Sequence, residues 1–337
     1  MNRRPPRPED VEADIRTALV NKTGFGRDGW ALEEVAVNAT PGTHRYVFQA
    51  NHPGGERSLA VKWCEVASQA QDEWASLEAL GRGTAPLVAP VFLDGRVLAT
   101  AWLAAPRAHT LLLRSSEGQR ATCLRQAGQW LASLHASGRP RRQVVRDFRN
   151  LCGRLRTRFA SARSVEADRL LDALDQRASG IGRVERAGVP LHWDFKPRNL
   201  FVTERGIVGF DVGPIKPGLP LHDAASFLTA MELDRYEAEA LGTRQAGTVD
   251  ADRRAFFAGY GALDAGDVPL LDMIEDQLLV ARWLRHSTIA DPPFERVAAT
   301  TQALAARGLP ERAGASRPGR LVRRRLLRPR WSDRIAT

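Results

Sequence analysis

The hydrophobic pattern of this chain changes its period once, and that change limits the folds that it can adopt. Residues 45–50 and 58–63 are apolar and β-prone, and the turn-forming residues 51–56 between them predict a β-hairpin. After about residue 110 the apolar positions recur at helical spacing instead. We therefore expect a β-rich N-terminal lobe and a helical lobe after it. A chain of 337 residues is long enough for two such lobes.

Further segments complete the predicted first lobe. Residues 32–37 alternate weakly and form a strand candidate before the hairpin, whereas residues 67–80 have the spacing of an amphipathic helix. Two more strand candidates follow at residues 87–93 and 96–102, separated by an Asp-Gly turn. The order of three strands, a helix and two strands predicts an antiparallel sheet with one helix packed on it.

The remaining two thirds of the chain is predicted to be mainly helical. Helical patterns cover residues 119–137, 146–176, 224–233, 252–260, 269–286 and 294–307. We place the lobe boundary at residues 103–108, because the two periods meet there. The predicted domains are an N-terminal extension (1–28), a small lobe (29–104), a large lobe (105–308) and a basic C-terminal tail (309–337). A cleft between two lobes is a common ligand site.

The net charge of +10 is concentrated in the tail. From residue 311 onward there are nine arginines and two acidic residues, so the folded body is close to balanced and we expect no nucleic-acid partner. The tail itself has two readings. It is either a disordered, solubilising end or a peripheral contact with anionic lipid, because apolar side chains stand between its arginines.

Cysteine usage and hydropathy bear on the cellular compartment. The three cysteines, Cys64, Cys123 and Cys152, are scattered and lack metal-ligand spacing, which is typical of reduced thiols in a cytoplasm. No apolar run reaches the roughly 20 residues that span a bilayer. The first ten residues are charged without an apolar stretch after them, so we expect no secretory signal. We expect a cytoplasmic protein, with the tail at the inner membrane surface as the alternative.

One segment of the predicted large lobe combines apolar strand candidates with polar residues that could be catalytic. Asp194 stands in a loop after an apolar strand, and Asn199 starts a second apolar strand five residues later. A turn at residues 203–206 joins this strand to a third one, and Asp211 stands at the end of that third strand. The two carboxylates of Asp194 and Asp211 and the amide of Asn199 should therefore lie close together at one opening of a cleft.

That set of side chains suits phosphoryl transfer. Magnesium prefers hard oxygen ligands and keeps several waters, so one Asp and one Asn with the phosphates of a nucleotide suffice to bind it. A second Asp can orient an attacking hydroxyl and accept its proton. The plainer reading is that Asp and Asn are turn residues. The spacing of all three within this β-context favours the catalytic reading.

The segment His192-Trp193-Asp194-Phe195-Lys196-Pro197-Arg198-Asn199, followed by Asp211-Val212-Gly213, resembles the aminoglycoside phosphotransferase family, relatives of the protein kinases. The family pattern is H-x-D-x-x-x-x-N followed by an Asp that closes a hairpin. The resemblance implies an α+β, protein-kinase-like bilobal fold with a small antiparallel-sheet lobe and a larger, mainly helical lobe. It also implies transfer of the γ-phosphate of ATP to a small-molecule hydroxyl, with ATP and Mg²⁺ as cofactors.

The resemblance assigns roles in the catalytic segment by position. Asp194 corresponds to the catalytic base, and Asn199 and Asp211 correspond to magnesium ligands. Lys196 matches the lysine that contacts the transferred phosphate in serine/threonine kinases. Asp223 resembles the aspartate at the start of the following helix, which we expect to cap that helix and to brace the catalytic loop.

The small lobe and the junction supply the predicted nucleotide contacts. Lys62 matches the strand lysine that grips the α- and β-phosphates, and Glu73 matches its ion-pair partner. Gly42 is the single glycine of the turn at the position of the phosphate-covering loop. The backbone of Trp102 and Ala104 is a candidate for adenine hydrogen bonds. The plainer alternatives are an edge-strand lysine, a solvated glutamate and a core tryptophan.

The acceptor is left open by the sequence. A set of acidic residues follows Asp223 and permits a cationic acceptor such as an aminoglycoside: Glu232, Asp234, Glu237, Glu239, Asp272, Glu275 and Asp276. A sugar, or a sugar head group on a lipid, is equally open. The Arg-rich residues 146–163 are either a solvated face or a contact for an anionic substrate. An atypical protein kinase and a non-catalytic pseudokinase scaffold are the alternative functions.

Overall fold

The small lobe is built on an antiparallel sheet. The computed structural model describes residues 6–25, 29–40, 43–52, 54–55, 58–137, 141–148, 150–162, 164–214, 216–243, 245–289 and 292–309. The sheet has the order β1-β2-β3-β5-β4. Its strands are β1 (Ala31–Thr40), β2 (Thr43–Asn51), β3 (Ser58–Cys64), β4 (Pro90–Asp94) and β5 (Val97–Ala101).

Two helices cover this sheet. Helix α1 (Pro8–Thr23) buries Val11, Ile15 and Leu19 in the same apolar cluster as alternate residues of β3, so the N-terminal segment contributes to the core of the small lobe. Helix α2 (Ala67–Leu80) has the bounds that the sequence predicted. Since successive strand residues point to opposite faces, Lys62 of β3 points away from α1 and toward α2 and the large lobe.

The large lobe is mainly helical. Its helices are α3 (Ala108–Arg114), α4 (Glu117–Ala136), α5 (Leu151–Arg158), α6 (Val165–Ile181), α7 (Leu221–Ala240), α8 (Val249–Tyr260), α9 (Asp267–Ser287) and α10 (Phe294–Ala306). Its strands are β6 (Arg141–Asp147), β7 (Arg183–Pro190), β8 (Leu200–Thr203), β9 (Gly206–Gly209) and β10 (Pro217–Gly218). The predicted α+β architecture of a sheet lobe and a helical lobe is confirmed.

The predicted single helix over residues 146–176 is wrong. Its first residues belong to β6, which pairs with β7 in antiparallel register, and two separate helices follow. A pairing between segments some forty residues apart leaves no local periodic signal, and the apolar Val144 and Val145 fit a helix or a strand equally well. Ser164 then starts α6, because its side chain accepts the backbone N–H of Ala167.

Close packing of α4 and α8 forms the base of the large lobe. A Cβ atom on Gly259 would lie 1.9 Å from the carbonyl oxygen of Arg125, and one on Gly128 would lie 2.2 Å from that of Phe256. Glycine at both positions therefore lets the two helices approach closely. Trp130 of α4 stacks on Phe195 with ring centroids 5.5 Å apart, so α4 supports the segment that contains Phe195.

Two sequence-based expectations concern the chain ends and membranes. The basic tail lies outside the described residues apart from its first position. None of the described helices is both long enough and apolar enough to cross a membrane.

Candidate active site

A lysine from the small lobe joins two carboxylates at the junction of the lobes. Lys62 Nζ lies 2.6 Å and 2.8 Å from the two carboxylate oxygens of Glu73, and 2.6 Å from Oδ1 of Asp211. Burial would lower the pKa of Lys62, but the two carboxylates outweigh burial and raise it above its ordinary value. Lys62 in turn holds the pKa of Asp211 well below its usual range. The predicted lysine, its partner glutamate and the predicted metal ligand are thus in direct contact.

The catalytic segment brings the other predicted residues together. Asn199 Nδ2 donates to the backbone oxygen and to Oδ2 of Asp194, each at 2.9 Å. Lys196 Nζ contacts the same Oδ2 at 2.5 Å. No described residue donates to Oδ1 of Asp194, and the side chain is 47% exposed. This oxygen is therefore accessible to a group that enters the cleft.

The hairpin of β8 and β9 places Asn199 beside Asp211. Leu200 pairs with Gly209, and the backbone N–H of Phe210 donates to the carbonyl oxygen of Asn199 at 3.1 Å. A Cβ atom on Gly209 would lie 2.3 Å from the ring of Trp130, so only glycine fits there without displacement. Asp211 then adopts a left-handed backbone with φ of 58°. These restraints hold the carboxylate against Lys62.

Asp223 braces the catalytic loop from the large lobe. Its buried carboxylate accepts the backbone N–H groups of His192 at 2.6 Å and Trp193 at 3.0 Å. Burial alone would raise the pKa of Asp223, but hydrogen bonds from His135 and from the loop backbone outweigh burial and lower it. The predicted bracing role is present. The predicted capping role is wrong, because no side chain caps the start of α7 at Pro220.

His192 is part of the core beneath the loop. It is fully buried, its ring packs against Trp130 and Phe195, and neither ring nitrogen has a partner among the described residues. Burial lowers its pKa, so the imidazole is neutral. A stack then continues from Phe195 through Phe227 to Phe256, with ring centroids 4.9 and 5.0 Å apart. His192 therefore supports the loop and does not face the cleft.

The predicted adenine contacts lie where the two lobes join. The backbone N–H of Trp102 donates to the carbonyl oxygen of Ser58 at 3.1 Å and is not free for a ligand, which leaves its carbonyl and the backbone of Ala104. Val202 of the hairpin donates to the carbonyl oxygen of Pro106, so the junction is tied to the catalytic hairpin. The predicted phosphate-loop residue Gly42 lies outside the described residues.

The sequence interpretation missed a set of basic residues beside the catalytic segment. The Arg107 guanidinium lies 5.4 Å from the ring centroid of Phe210, next to Asp211. Arg198, between two motif positions, donates to Asp234 at 3.0 Å, and His109 contacts the other oxygen of that carboxylate at 2.8 Å. Only the position of Arg198 within the motif could have marked it, because its partner, Asp234, lies on the distant helix α7.

The donor set at the mouth of the cleft fits a magnesium site that is shared with a nucleotide. Among the described residues, no group of three His, Cys, Asp or Glu side chains could hold a metal by itself. Asp211 offers a carboxylate, and Asn199 uses its Nδ2 toward Asp194, which leaves Oδ1 as a second hard oxygen. Magnesium accepts such a sparse protein set when phosphate oxygens and waters complete it.

Comparison with known proteins agrees with this arrangement. A family model described as the phosphotransferase enzyme family matches residues 27–268, which is more than half of the chain. None of the curated proteins matches this chain.

Solved structures share the fold at low sequence identity. A spectinomycin phosphotransferase in complex with ADP and spectinomycin is 14% identical, with a TM-score of 0.57 over 88% of this chain and 93% of its own. An amicoumacin kinase in complex with AMP-PNP and Ca²⁺ is 13% identical, with a TM-score of 0.57 over 89% and 94%. A glucosamine kinase in complex with glucosamine, ADP and inorganic phosphate is 13% identical, with a TM-score of 0.57 over 89% and 86%.

These neighbours confirm the protein-kinase-like bilobal fold that the motifs implied. The family match confirms the resemblance that was drawn from the segment around Asp194 and Asp211. The chain belongs to the phosphotransferase enzyme family, and it is therefore a phosphotransferase.

Proposed function

We propose that this protein transfers the γ-phosphate of ATP to a hydroxyl of a small molecule in a magnesium-dependent reaction. The observation that carries the proposal is one continuous set of contacts. It runs from Glu73 through Lys62 to Asp211, and the hairpin connects Asp211 to Asn199 and Asp194. Residues from both lobes are in direct contact, 149 positions apart in the case of Lys62 and Asp211.

The small lobe would hold the triphosphate. The Lys62 ammonium is fixed between Glu73 and Asp211, so it presents a positive charge at a defined point of the cleft. The carbonyl of Trp102 and the backbone of Ala104 would bind the adenine. Binding in this way leaves the γ-phosphate beside Asp211 and the catalytic loop.

Asp211 and Asn199 would hold Mg²⁺. When bound, the ion supplies charge neutralisation on the phosphate oxygens. The protein contributes the position of the two oxygens, which the hairpin and the left-handed backbone at Asp211 restrain.

Asp194 would act on the acceptor. Its accessible Oδ1 accepts the proton of the hydroxyl while the hydroxyl oxygen forms a bond to the γ-phosphorus. The bond from that phosphorus to the β–γ bridging oxygen breaks, and its electron pair stays on ADP. Lys196, held against Asp194, would stabilise the transferred phosphoryl group.

The acceptor would be a small molecule such as a sugar, an aminoglycoside or a lipid-linked glycan. The neighbours named for spectinomycin, amicoumacin and glucosamine act on small molecules of this size. A protein acceptor is disfavoured by the short connection after Asp211, since α7 already begins at Leu221.

Turnover of Mg-ATP against a panel of acceptors tests the proposal. The wild type should release ADP and form a phosphorylated product, and EDTA should stop both. Asp194→Asn should retain nucleotide binding in a thermal shift assay yet lose product formation. A wild type that neither binds nor hydrolyses Mg-ATP would contradict the proposal. Binding without any hydrolysis or transfer would favour the scaffold reading instead.

A further inference from the structure

The hairpin of β8 and β9 has two faces with different surroundings. Because successive strand residues point to opposite sides of a sheet, the paired residues Leu200 and Gly209 lie on one face. That face packs on the core of the large lobe, where a Cβ atom on Gly209 would lie 2.3 Å from the ring of Trp130. The opposite face carries three half-buried apolar side chains: Phe201, Val208 and Phe210. The two phenylalanine rings, with centroids 4.7 Å apart, form an aromatic surface that points away from this core.

This aromatic surface lies in the cleft between the lobes. Lys62 of the small lobe contacts Asp211, the residue after Phe210, at 2.6 Å. At the other edge of the hairpin, the backbone N–H of Val202 donates to the carbonyl oxygen of Pro106 at 2.9 Å, in the segment that joins the lobes. A nucleotide that extends from the lobe junction to Lys62 therefore crosses the aromatic surface.

Arg107 extends from the lobe junction across this surface. Its backbone pairs with that of Phe201, directly before α3 begins at Ala108. Its guanidinium carbon lies 5.4 Å from the ring centroid of Phe210. An aromatic face attracts a cation, so this contact favours the observed position of the side chain. The charge of Arg107 therefore lies at the Phe210 end of the aromatic surface, which is the end next to Asp211, although its backbone belongs to the junction.

Arg107 keeps its hydrogen-bond donors. In the described part of the chain, no carboxylate forms a salt bridge with Arg107, no residue accepts a hydrogen bond from its side chain, and the residue is exposed. By contrast, Lys62 contacts two carboxylates, and Arg198 is paired with Asp234. A guanidinium has five N–H donors in a planar fork. Arg107 can therefore bind an anion in the cleft without first losing a protein partner.

We propose that Arg107 binds the phosphate chain of the nucleotide, as a second cation in addition to Lys62. This inference rests on the proposed phosphotransferase function and adds a residue to its nucleotide site. The two cations approach the phosphate chain from different lobes, Lys62 from β3 and Arg107 from the start of α3. Bidentate N–H···O contacts from a guanidinium suit a phosphate, and the ring of Phe210 keeps the guanidinium at this end of the cleft.

A series of nucleotides with fewer phosphates tests which part of the nucleotide Arg107 contacts. Isothermal titration calorimetry on the full chain, with Mg²⁺ present, gives Kd for AMP-PNP, ADP, AMP and adenosine in the wild type and in Arg107→Met. We expect the variant to raise Kd for AMP-PNP by about tenfold or more, because charge-assisted hydrogen bonds are lost, and Kd for adenosine by less than about twofold. An equal loss for adenosine would place Arg107 on the base and overturn the inference. Equal Kd values in both proteins would show a solvated arginine only and would also overturn it.

Arg114→Met is the matched control for this series. It removes the same charge from the exposed C-terminal end of α3 and should change none of the Kd values. If Arg114→Met weakens AMP-PNP binding as strongly as Arg107→Met does, net charge accounts for the loss and the inference fails. Arg107→Lys retains the charge without the planar fork. It should bind AMP-PNP more weakly than the wild type and more tightly than Arg107→Met.

Kinetics and thermal unfolding separate this inference from the proposed function. In Arg107→Met, KM for ATP should rise by about tenfold, whereas KM for the acceptor should change by less than about twofold. The Tm of the variant without nucleotide should stay close to that of the wild type, since Arg107 is exposed, but Mg-ADP should raise it less. A wild type that binds no nucleotide would contradict the proposed function, whereas undiminished nucleotide binding in Arg107→Met would contradict this inference alone.

Discussion

The two sides of the catalytic loop balance their charges in opposite ways. On the nucleotide side, one cation, Lys62, lies between two carboxylates, Glu73 and Asp211. On the other side, toward α3 and α7 and here called the acceptor side, one carboxylate, Asp234, is contacted by Arg198 and His109. One side therefore places a cation between two carboxylates, whereas the other places a carboxylate between two basic side chains.

This difference shows which part of the site a family shares and which part belongs to one chain. The nucleotide side must bind the same triphosphate and metal in every member that uses them, so its charges follow from the reaction. The acceptor side must match one substrate, so its charges follow from that substrate. Changes on the two sides should affect different kinetic constants, and the following predictions use that separation.

The largest expected effect belongs to Asp194, which both sides share. Asp194→Asn replaces the proton acceptor with an amide that cannot take up the proton. We expect kcat to fall by about 10²–10⁴-fold, with KM for ATP little changed. Steady-state kinetics checks this. The Tm should stay close to that of the wild type, because the amide oxygen of the new Asn can still accept from Asn199 and the lost ion pair with Lys196 is partly exposed. A variant that retains more than about a tenth of kcat would contradict the base role.

Lys62→Met removes the lysine cation of the nucleotide side and leaves the acceptor side unchanged. The substitution leaves the carboxylates of Glu73 and Asp211 without their cation, and their side chains are 11% and 30% exposed. We expect KM for ATP to rise by about tenfold or more and the free energy of unfolding to fall by about 3 kcal/mol. KM for the acceptor should change less.

Urea denaturation and steady-state kinetics measure both effects of Lys62→Met. Lys22→Met removes an exposed lysine from α1 and provides the matched control, which should behave as the wild type. An unchanged KM for ATP in Lys62→Met would mean that this cation does not contact the triphosphate.

Asp223→Ala tests how the loop between the two sides is held. The substitution removes the acceptor for two backbone N–H groups, one of which belongs to Trp193 with its left-handed φ of 66°. We expect kcat to fall by about tenfold and stability to decrease by about 2 kcal/mol, because buried donors lose their partner. Kinetics and thermal unfolding measure the two effects. A loss of stability without loss of kcat would show that the loop keeps its shape without this carboxylate.

Sequence reasoning and structure agree best where the relevant residues are close in the chain. Asp194, Asn199 and Asp211 lie within one strand-turn-strand segment, so their spacing already predicted that they would meet. The family resemblance implied the pairing of Lys62 with Glu73, and the two side chains come from a strand and the helix that follows it.

The acceptor side could not be predicted in the same way. The contact between Arg198, His109 and Asp234 joins a 3-10 turn to α3 and α7, and no local spacing relates these three residues. The acidic residues of α7 and α9 permitted a cationic acceptor, but Glu232, Glu275 and Asp276 pair with arginines on other elements. The strand β6 was missed for the same reason, since its partner lies about forty residues away.

The smallest expected effect concerns the positive charges around His286 of α9. Burial and the nearby Arg282, Arg296 and Arg285 lower the pKa of His286 to about 4. Arg282→Glu should raise this pKa, because it removes one repelling charge and adds an attracting one. Titration of the imidazole by NMR measures the pKa of His286 directly. Arg254→Glu makes the same change on the exposed face of α8 and should leave this pKa unchanged. An unchanged pKa in Arg282→Glu would contradict the positive field.

The same histidine links that field to stability. His286 is neutral in the folded protein down to about pH 4, whereas in the unfolded chain it takes up a proton near its ordinary pKa of 6.5. Its contribution to stability is therefore lost as the pH falls between those values. In Arg282→Glu this loss should be smaller, as urea denaturation at pH 7 and pH 5 would show.

A crystal structure with AMP-PNP and Mg²⁺ tests the central claim most directly, since it locates the metal and the γ-phosphate. We expect Mg²⁺ at about 2.0–2.1 Å from a carboxylate oxygen of Asp211 and from Oδ1 of Asn199, with the γ-phosphate facing Asp194. A nucleotide bound elsewhere, or a metal that contacts neither residue, would contradict it.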